Sequence, residues 1–371
     1  MKIVIDGRMI NESGIGRYLR NLINELQKLD NQNDYYILLL KKDFNTVVYQ
    51  SNFKKVLANF KWYKIAEQIK LPKILHDLQP DLVHFPHFNV PILYEGKFVV
   101  TIHDLIHQHY SISDSSTHGK LVFNLKKIGY KKVFETAVKK SEKILVPSEF
   151  VKQQLKTEWR VPDNKVVVTH EGVNLTHPRG GLSIHGTKLP YILYVGNAHP
   201  HKNVEGLITA FKILKKLTHP ASGGQDDDLR LVLVGKENYF WRKIMMDSRF
   251  RGNDILYTGF VDDAQLASLY KNAEVYVEPS FEEGFGLPLL EAFSLGCPIV
   301  ASDIGSLKEV GGDAVVYFDP KNIEDMSEKI GEVLNNEKLK KELIEKGKKR
   351  VKQFSWKKMA EQTLKVYTES I

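Results

Sequence analysis

Apolar residues fall into two repeated series of short runs separated by amphipathic stretches, and that alternation sets the architecture. The first run, KIVIDGRMI, reads as a strand; Ser13-Gly14-Ile15-Gly16 reads as a glycine turn after it. The stretch RYLRNLINELQKL then places Tyr18, Leu19, Leu22, Ile23 and Leu26 on one face, the spacing of a helix. Further strand-like runs stand at Tyr35–Leu40, Leu82–Phe85, Phe98–Ile102, Lys143–Val146 and Val166–Thr169. Strands alternating with helices predict a mainly parallel sheet covered on both faces, an α/β domain.

The series then restarts. Six runs, Tyr191–Gly196, Leu229–Gly235, Ile255–Gly259, Glu274–Glu278, Pro298–Ser302 and Ala314–Phe318, predict a second doubly wound sheet. Helical stretches separate most of them, such as Val204, Leu207, Ile208, Phe211 and Leu214. The composition turns to Gly, His, Pro and Thr across Glu171–Pro190, which marks the join. The expected domains are residues 1–172 and 173–354, with a last helix over 355–371. Thr176–Thr187, Thr218–Asp228 and Met245–Asp254 lack periodicity and read as surface insertions with no part in the chemistry.

Length agrees with two domains, since 371 residues is about twice one ordinary core. Hydrophobic residues at 42% and charged residues at 26% describe a packed globular protein. No apolar run approaches the roughly 20 residues of a membrane span, and the opening lacks a secretory pattern, so a cytoplasmic protein is expected. The single cysteine, Cys297, excludes an internal disulfide and reads as a small core residue. The formal net charge of +8 favours anionic partners without choosing among nucleic acid, lipid headgroups and phosphorylated small molecules.

The segment EVYVEPSFEEGFGLPLLEAFSLGCPIVAS carries the most chemistry. A strand ends near Glu278, a loop runs through Glu282, Glu283, Gly284, Phe285 and Gly286, and a helix is expected from about Pro288, with Glu291 in its first turn. A glycine-flexed loop ahead of a helix gathers free backbone N–H groups at the positive end of the dipole, which suits phosphate. Such a loop lies outside the carboxyl end of the sheet, where open α/β folds bind ligands. Two carboxylates flanking it are acceptors for the hydroxyls of sugars.

Glu283-Gly-Phe-Gly-Leu-Pro-Leu-Leu-Glu291 resembles the E-x7-E motif of retaining GT-B glycosyltransferases, specifically glycosyltransferase family 4. The resemblance implies the GT-B fold, two Rossmann-like doubly wound domains facing across a cleft, with a nucleotide sugar held there chiefly by the second domain. It implies that Glu283 contacts the donor sugar, that Glu291 holds the ribose, and that the amides of Gly284, Phe285, Gly286 and Leu287 meet sugar and diphosphate. Gly196-Asn197 through Asn203 is similar to the strand-end loop carrying the diphosphate-binding cation, which maps onto Lys202. Relatives commonly place an arginine where this chain has Asn197 or His201. Gly14-Ile-Gly16-Arg17-Tyr18 resembles the glycine-rich turn facing the phosphates. Arg17 either supplies charge there or faces solvent.

His103, in Thr101-Ile-His-Asp-Leu105, matches the family histidine near the reacting sugar, with Asp104 either orienting its ring or capping the next element. Gly259-Phe260-Val261 resembles the loop that reads the base through backbone groups. Phe354-Ser-Trp356 and the following helix look like the segment that crosses back onto the first domain. The activity implied is transfer of a hexose with retention. GDP-mannose is the first expectation from the mannosyltransferase-like runs DLVHFPHFNVP and VPSEF, a UDP-hexose the second, and the acceptor is a glycan or lipid-linked glycan of the cell envelope. No metal or other cofactor is expected: His84 and His87 straddle a proline at a strand end with no third ligand, and Asp226–Asp228 lies in an apparent insertion.

Two questions stay open at this level. Lys120–Lys140 pairs seven lysines with an apolar face, and reads equally as a helix lying on an anionic membrane or as a solvated cover for the sheet. An inert nucleotide-sugar-binding protein would show the same loop. A nucleic-acid binder has only the charge in its favour, and a dehydrogenase lacks the full G-x-G-x-x-G turn.

Overall fold

The computed structural model describes residues 1–12, 14–110, 120–174, 189–218, 229–247 and 252–371, with backbone alone at 120–127 and 217–218. Ser13, the first two stretches read as insertions apart from Thr218, residues 248–251 of the third, and the Asp226–Asp228 pair lie outside the described residues. The chain divides into two compact units, Met1–Glu171 with Ser355–Ile371, and Gly172–Phe354.

In the first unit the strands are β1 (Lys2–Asp6), β2 (Asp34–Leu39), β3 (Phe53–Leu57), β4 (Leu82–Phe85), β5 (Phe98–Thr101), β6 (Lys143–Val146) and β7 (Val166–Val168). They form a parallel sheet in the order β3-β2-β1-β4-β5-β6-β7. The helices are α1 (Gly14–Leu29), α2 (Lys41–Phe44), α3 (Ile65–Leu78), α4 (Ile106–His109), α5 (Lys120–Lys140) and α6 (Glu149–Trp159). β3 was not foreseen. Its sequence FKKVL sits on the sheet edge with Lys54 exposed and Lys55 half-exposed, so the apolar run that marks a covered strand is missing.

The second unit has β8 (Tyr191–Val195), β9 (Arg230–Val234), β10 (Ile255–Gly259), β11 (Val275–Glu278), β12 (Ile299–Ser302) and β13 (Val316–Phe318), parallel, in the order β10-β9-β8-β11-β12-β13. Its helices are α7 (Val204–Thr218), α8 (Tyr239–Met246), α9 (Asp263–Asn272), α10 (Leu287–Leu295), α11 (Gly305–Gly311), α12 (Ile323–Leu334) and α13 (Glu337–Arg350). Both faces of this sheet are dry. Tyr191 and Leu193 join the layer under α9 and α10, while Ile192 and Tyr194 join the layer under α7 and α12. Period-2 alternation therefore appears as a continuous apolar run, as covered parallel strands require. Cys297 is buried in the first of those layers, where burial pushes its thiol pKa up.

The last helix, α14 (Trp356–Glu369), belongs to the first unit and packs on α1. Its Tyr367 hydroxyl meets His84 Nδ1 of β4 at 2.6 Å, and His84 Nε2 meets the Thr101 hydroxyl of β5 at 2.8 Å. The same Thr101 oxygen lies 3.0 Å from the Tyr18 hydroxyl of α1. One buried polar chain thus joins α1, β5, β4 and α14. Both sheets reverse strand order at one point, between β1 and β4 and between β8 and β11, and the loops beyond those strand ends are the natural ligand sites.

Candidate functional site

In the second unit the loops after β8 and β11 meet beside the switch point. The Phe281 amide donates to the His201 carbonyl at 2.7 Å, and Lys202 Nζ forms an ion pair with Glu283 Oε1. Lys202 ends a 3-10 turn, Pro200–Lys202, and Asn203 follows in the left-handed region at φ 53°, turning the chain into α7. The Asn197 carboxamide oxygen accepts from the His199 amide at 3.1 Å, which shapes the loop from within. Gly196 is fixed by space: a Cβ there would stand 2.7 Å from the Tyr194 hydroxyl, which donates to the Asn197 carbonyl.

The Glu283–Leu287 segment is anchored on both sides. Phe285 is buried edge-on against Phe354, with ring centres 5.7 Å apart. Gly286 caps α10 at φ +107°, a conformation for glycine, and a Cβ would also meet Leu307 at 2.7 Å. This corrects the expected helix start. The cap falls on Gly286, so Leu287 is the first helical residue and Pro288 the second. Glu291 is therefore past the first turn. It is buried, and its Oε2 accepts from the Tyr270 hydroxyl of α9 at 3.0 Å. Glu283 and Glu291 thus flank the helix start from different depths, one paired to a lysine and one to a phenol.

The base-loop residues lie at the end of β10. Gly259 has φ +72° with open space around its Cα, Phe260 is 76% exposed, and Val261 packs partly against the core. The Gly259 carbonyl accepts from the Gly235 amide at 3.1 Å, which ties this loop to the end of β9.

In the first unit, Gly14 and Gly16 do not form a turn ahead of the helix: α1 begins at Gly14, so both lie in its first turn. They differ in cause. A Cβ at Gly16 would stand 2.6 Å from the Ile10 carbonyl oxygen, whereas at Gly14 it would meet nothing within 4 Å. Arg17 is half-buried on the same turn.

His103 lies just past β5, with its ring edge-on to Tyr18 at 4.9 Å. Its Nδ1 is 3.2 Å from Glu171 Oε1, and its Nε2 is 3.1 Å from the Pro86 carbonyl oxygen. Burial opposes a charge on this ring, but Glu171 and Asp104 together with the Pro86 acceptor outweigh it and raise the pKa. Two acceptors facing two ring nitrogens favour the doubly protonated form. Asp104 accepts from the Ile106 amide at 3.0 Å, ahead of α4, besides its electrostatic action on His103.

His84 is the opposite case: burial and the neighbouring His103 hold its pKa down to about 3. Its ring nitrogens already serve Tyr367 and Thr101, so a shared metal with His87 has no donor left on this side. Among the described residues no group of three His, Cys, Asp or Glu side chains is arranged around one point.

Sequence reasoning missed three features. Glu171 was read as the start of the join, although a carboxylate directly after a strand-end Thr-His pair was a visible signal. Glu278 and Ser280 stand behind Glu283: Ser280 Oγ lies 2.5 Å from Glu278 Oε1 and 2.8 Å from Glu283 Oε1. Arg8, after β1, is buried between Asp6 and Glu67, at 2.6 Å to each, and Asn89 completes the cluster through Glu67.

The side chains of α5 are described from Ile128 onward. Phe134, Ala137 and Val138 are buried in the core, while Lys131, Lys132, Lys139 and Lys140 are exposed. In this part of the helix the buried apolar residues join the core, and Ile128 is exposed along with the lysines. No helix among the described residues is long and apolar enough to cross a membrane.

Comparison with known proteins covers both units. The family described as Glycosyltransferase Family 4 matches residues 13–177, and that described as Glycosyl transferases group 1 matches residues 183–350. O-antigen chain mannosyltransferase B of Escherichia coli is 28% identical over 82% of this chain and 78% of its own. O-antigen chain mannosyltransferase RfbU of Salmonella typhimurium is 25% identical over 74% and 73%. Among solved structures, sucrose-phosphate synthase from Thermosynechococcus elongatus superposes with a TM-score of 0.76 at 19% identity, covering 100% of this chain and 98% of that one. Anabaena HepE in complex with UDP-glucose gives 0.75 at 15% identity over the whole of both chains.

Proposed function

Since the chain belongs to glycosyltransferase family 4 and carries its GT-B fold, we propose that it transfers a hexose with retention of configuration from a nucleotide-diphosphate sugar to a glycan or lipid-linked acceptor. GDP-mannose is the favoured donor, supported by the mannosyltransferase names of its O-antigen relatives; UDP-hexose is the second candidate, from the ligand of the HepE structure.

The observation that carries the reading is the Lys202–Glu283 pair beside the start of α10. A diphosphate with two negative charges outcompetes one carboxylate for the ammonium and for the amides of Gly284–Leu287. Glu283, released from Lys202, turns its oxygens to the sugar hydroxyls. Glu291, buried and braced by Tyr270, accepts from the ribose. Lys202 and the helix-start amides then stabilise the departing diphosphate, which is electrostatic catalysis without a metal. His103, held toward the charged form by Glu171, is the first unit's candidate catalytic group. The exposed lysines of α5 give the protein a peripheral hold on an anionic membrane that carries the acceptor.

A panel of nucleotide sugars titrated against intrinsic fluorescence identifies the donor, and product formation with lipid-linked acceptors identifies the reaction. Glu283→Ala is expected to cut turnover about a hundredfold or more while the melting temperature stays put. Near-native transfer by this variant, or donor binding without any product across the acceptor panel, defeats the proposal; the second outcome describes an inert sugar-nucleotide binder.

A further inference from the structure

Three oxygens crowd one proton behind Glu283. The Ser280 hydroxyl lies 2.5 Å from Glu278 Oε1 and 2.8 Å from Glu283 Oε1, and a hydroxyl has a single hydrogen to give. Were both carboxyls ionised, one of these contacts would set lone pair against lone pair without a hydrogen between them. Glu283 faces the Lys202 ammonium, so the negative charge belongs there. Glu278 is 1% exposed, and its other oxygen accepts from the Tyr276 hydroxyl at 2.7 Å. The arrangement that satisfies every group runs in one direction: Glu278 O–H donates to Ser280, Ser280 O–H donates to Glu283, and Lys202 donates to the same Glu283 oxygen.

We infer that Glu278 is a protonated carboxylic acid at neutral pH and that, through Ser280, it positions Glu283 as a single, fixed negative charge. The inference rests on the proposed donor role of Glu283 for its functional meaning, though not for the protonation itself. Once a diphosphate draws Lys202 away, Glu283 keeps one hydrogen bond that does not depend on the lysine. An ionised Glu278 would put a second negative charge behind the phosphates and reverse the Ser280 donor.

The groups facing Glu278 come from several elements: Lys202 and Glu283 from the two loops, Tyr276 and Ser280 from its own strand and its extension, Tyr194 from β8, and Tyr270 of α9 beyond Tyr276. Desolvation leads in raising its pKa, Lys202 opposes, and Glu283 adds to the rise, so the net direction is upward. Raising the pH therefore strips this proton later than that of an ordinary glutamate, and ends the relay.

Infrared difference spectra of wild type and Glu278→Gln at neutral pH test the protonation directly. The carbonyl-stretch band of a protonated carboxyl is expected in the wild type and absent from the variant; no such band overturns the inference. Steady-state kinetics with a nucleotide sugar test the positioning. Glu278→Ala should lower kcat about tenfold with little change in KM, the size of one misplaced hydrogen bond. Glu278→Gln, whose amide N–H can still donate to Ser280, should restore most of it and move the alkaline fall in kcat to higher pH. A glutamine variant as impaired as the alanine one overturns the positioning role. Should Glu278→Ala not fold, Ser280→Ala breaks the same relay and carries the same expected loss. If wild type binds no nucleotide sugar, the proposed function fails while the infrared result still decides the protonation.

Discussion

The carboxyl edges of the two sheets share a strand order and differ in how they treat charge. Beside β8 and β11, the second unit keeps an ammonium and a carboxylate paired but partly accessible, next to the start of α10. Beside β1 and β4, the first unit buries Arg8 between two carboxylates, so Arg8, Asp6 and Glu67 are bonded to one another inside the fold. A buried, fully bonded ion cluster holds loops together; it does not exchange partners readily. Under the proposed function, the Lys202–Glu283 pair is the one that exchanges partners with an anionic ligand. The first unit contributes a different instrument, His103, whose two nitrogens and raised pKa make it the titratable group at that edge.

Removing the charge that the second unit keeps available should show the contrast most strongly. Lys202→Ala is expected to lower kcat/KM for the nucleotide sugar by on the order of 10²–10³, as for loss of a principal transition-state donor. A loss below tenfold would return the pair to a structural role. The first unit is sharpened by Glu171→Gln. Because the folded pKa of His103 is raised, the stability its charge brings is fully present below the unfolded value of about 6.5 and is lost as pH rises through the folded pKa. Denaturant melts should therefore show Glu171→Gln less stable by about 1–3 kcal/mol near pH 5–6, with the gap narrowing at higher pH. A pH-independent gap would mean that the pair acts through packing alone.

The two glycines of α1 separate structural from ligand-dictated sequence. Gly16→Ala forces a Cβ against the Ile10 carbonyl and should cost about 1–3 kcal/mol of stability. Gly14→Ala meets open space and should shift stability by less than about 1 kcal/mol, in the stabilising direction. If that second variant nevertheless loses donor affinity, Gly14 is kept open for the ligand.

The strands of the second unit were legible because a covered parallel strand is apolar on both faces: YILYV, RLVLV and IVAS announce themselves. β3 did not, since an edge strand wears solvent-facing lysines. The start of α10 was misplaced by one residue because proline was given the first helical position, whereas the left-handed Gly286 takes the cap and pushes proline to the second. Motif spacing pointed to Lys202, Glu283 and Glu291, and the structure adds the ion pair between the first two. What stayed hidden were partnerships across the chain, such as Arg8 with Glu67, 59 residues on, and His103 with Glu171. Such pairs leave no local periodicity.

The polar chain through Tyr18, Thr101, His84 and Tyr367 has a consequence for biosynthesis. Residues 355–371 leave the ribosome only after every residue of the second unit, which is continuous in sequence. Until then α1 lacks the helix that packs on it, and His84 Nδ1 on β4 lacks its Tyr367 partner. The first unit is thus completed only after the whole of the second has been synthesised.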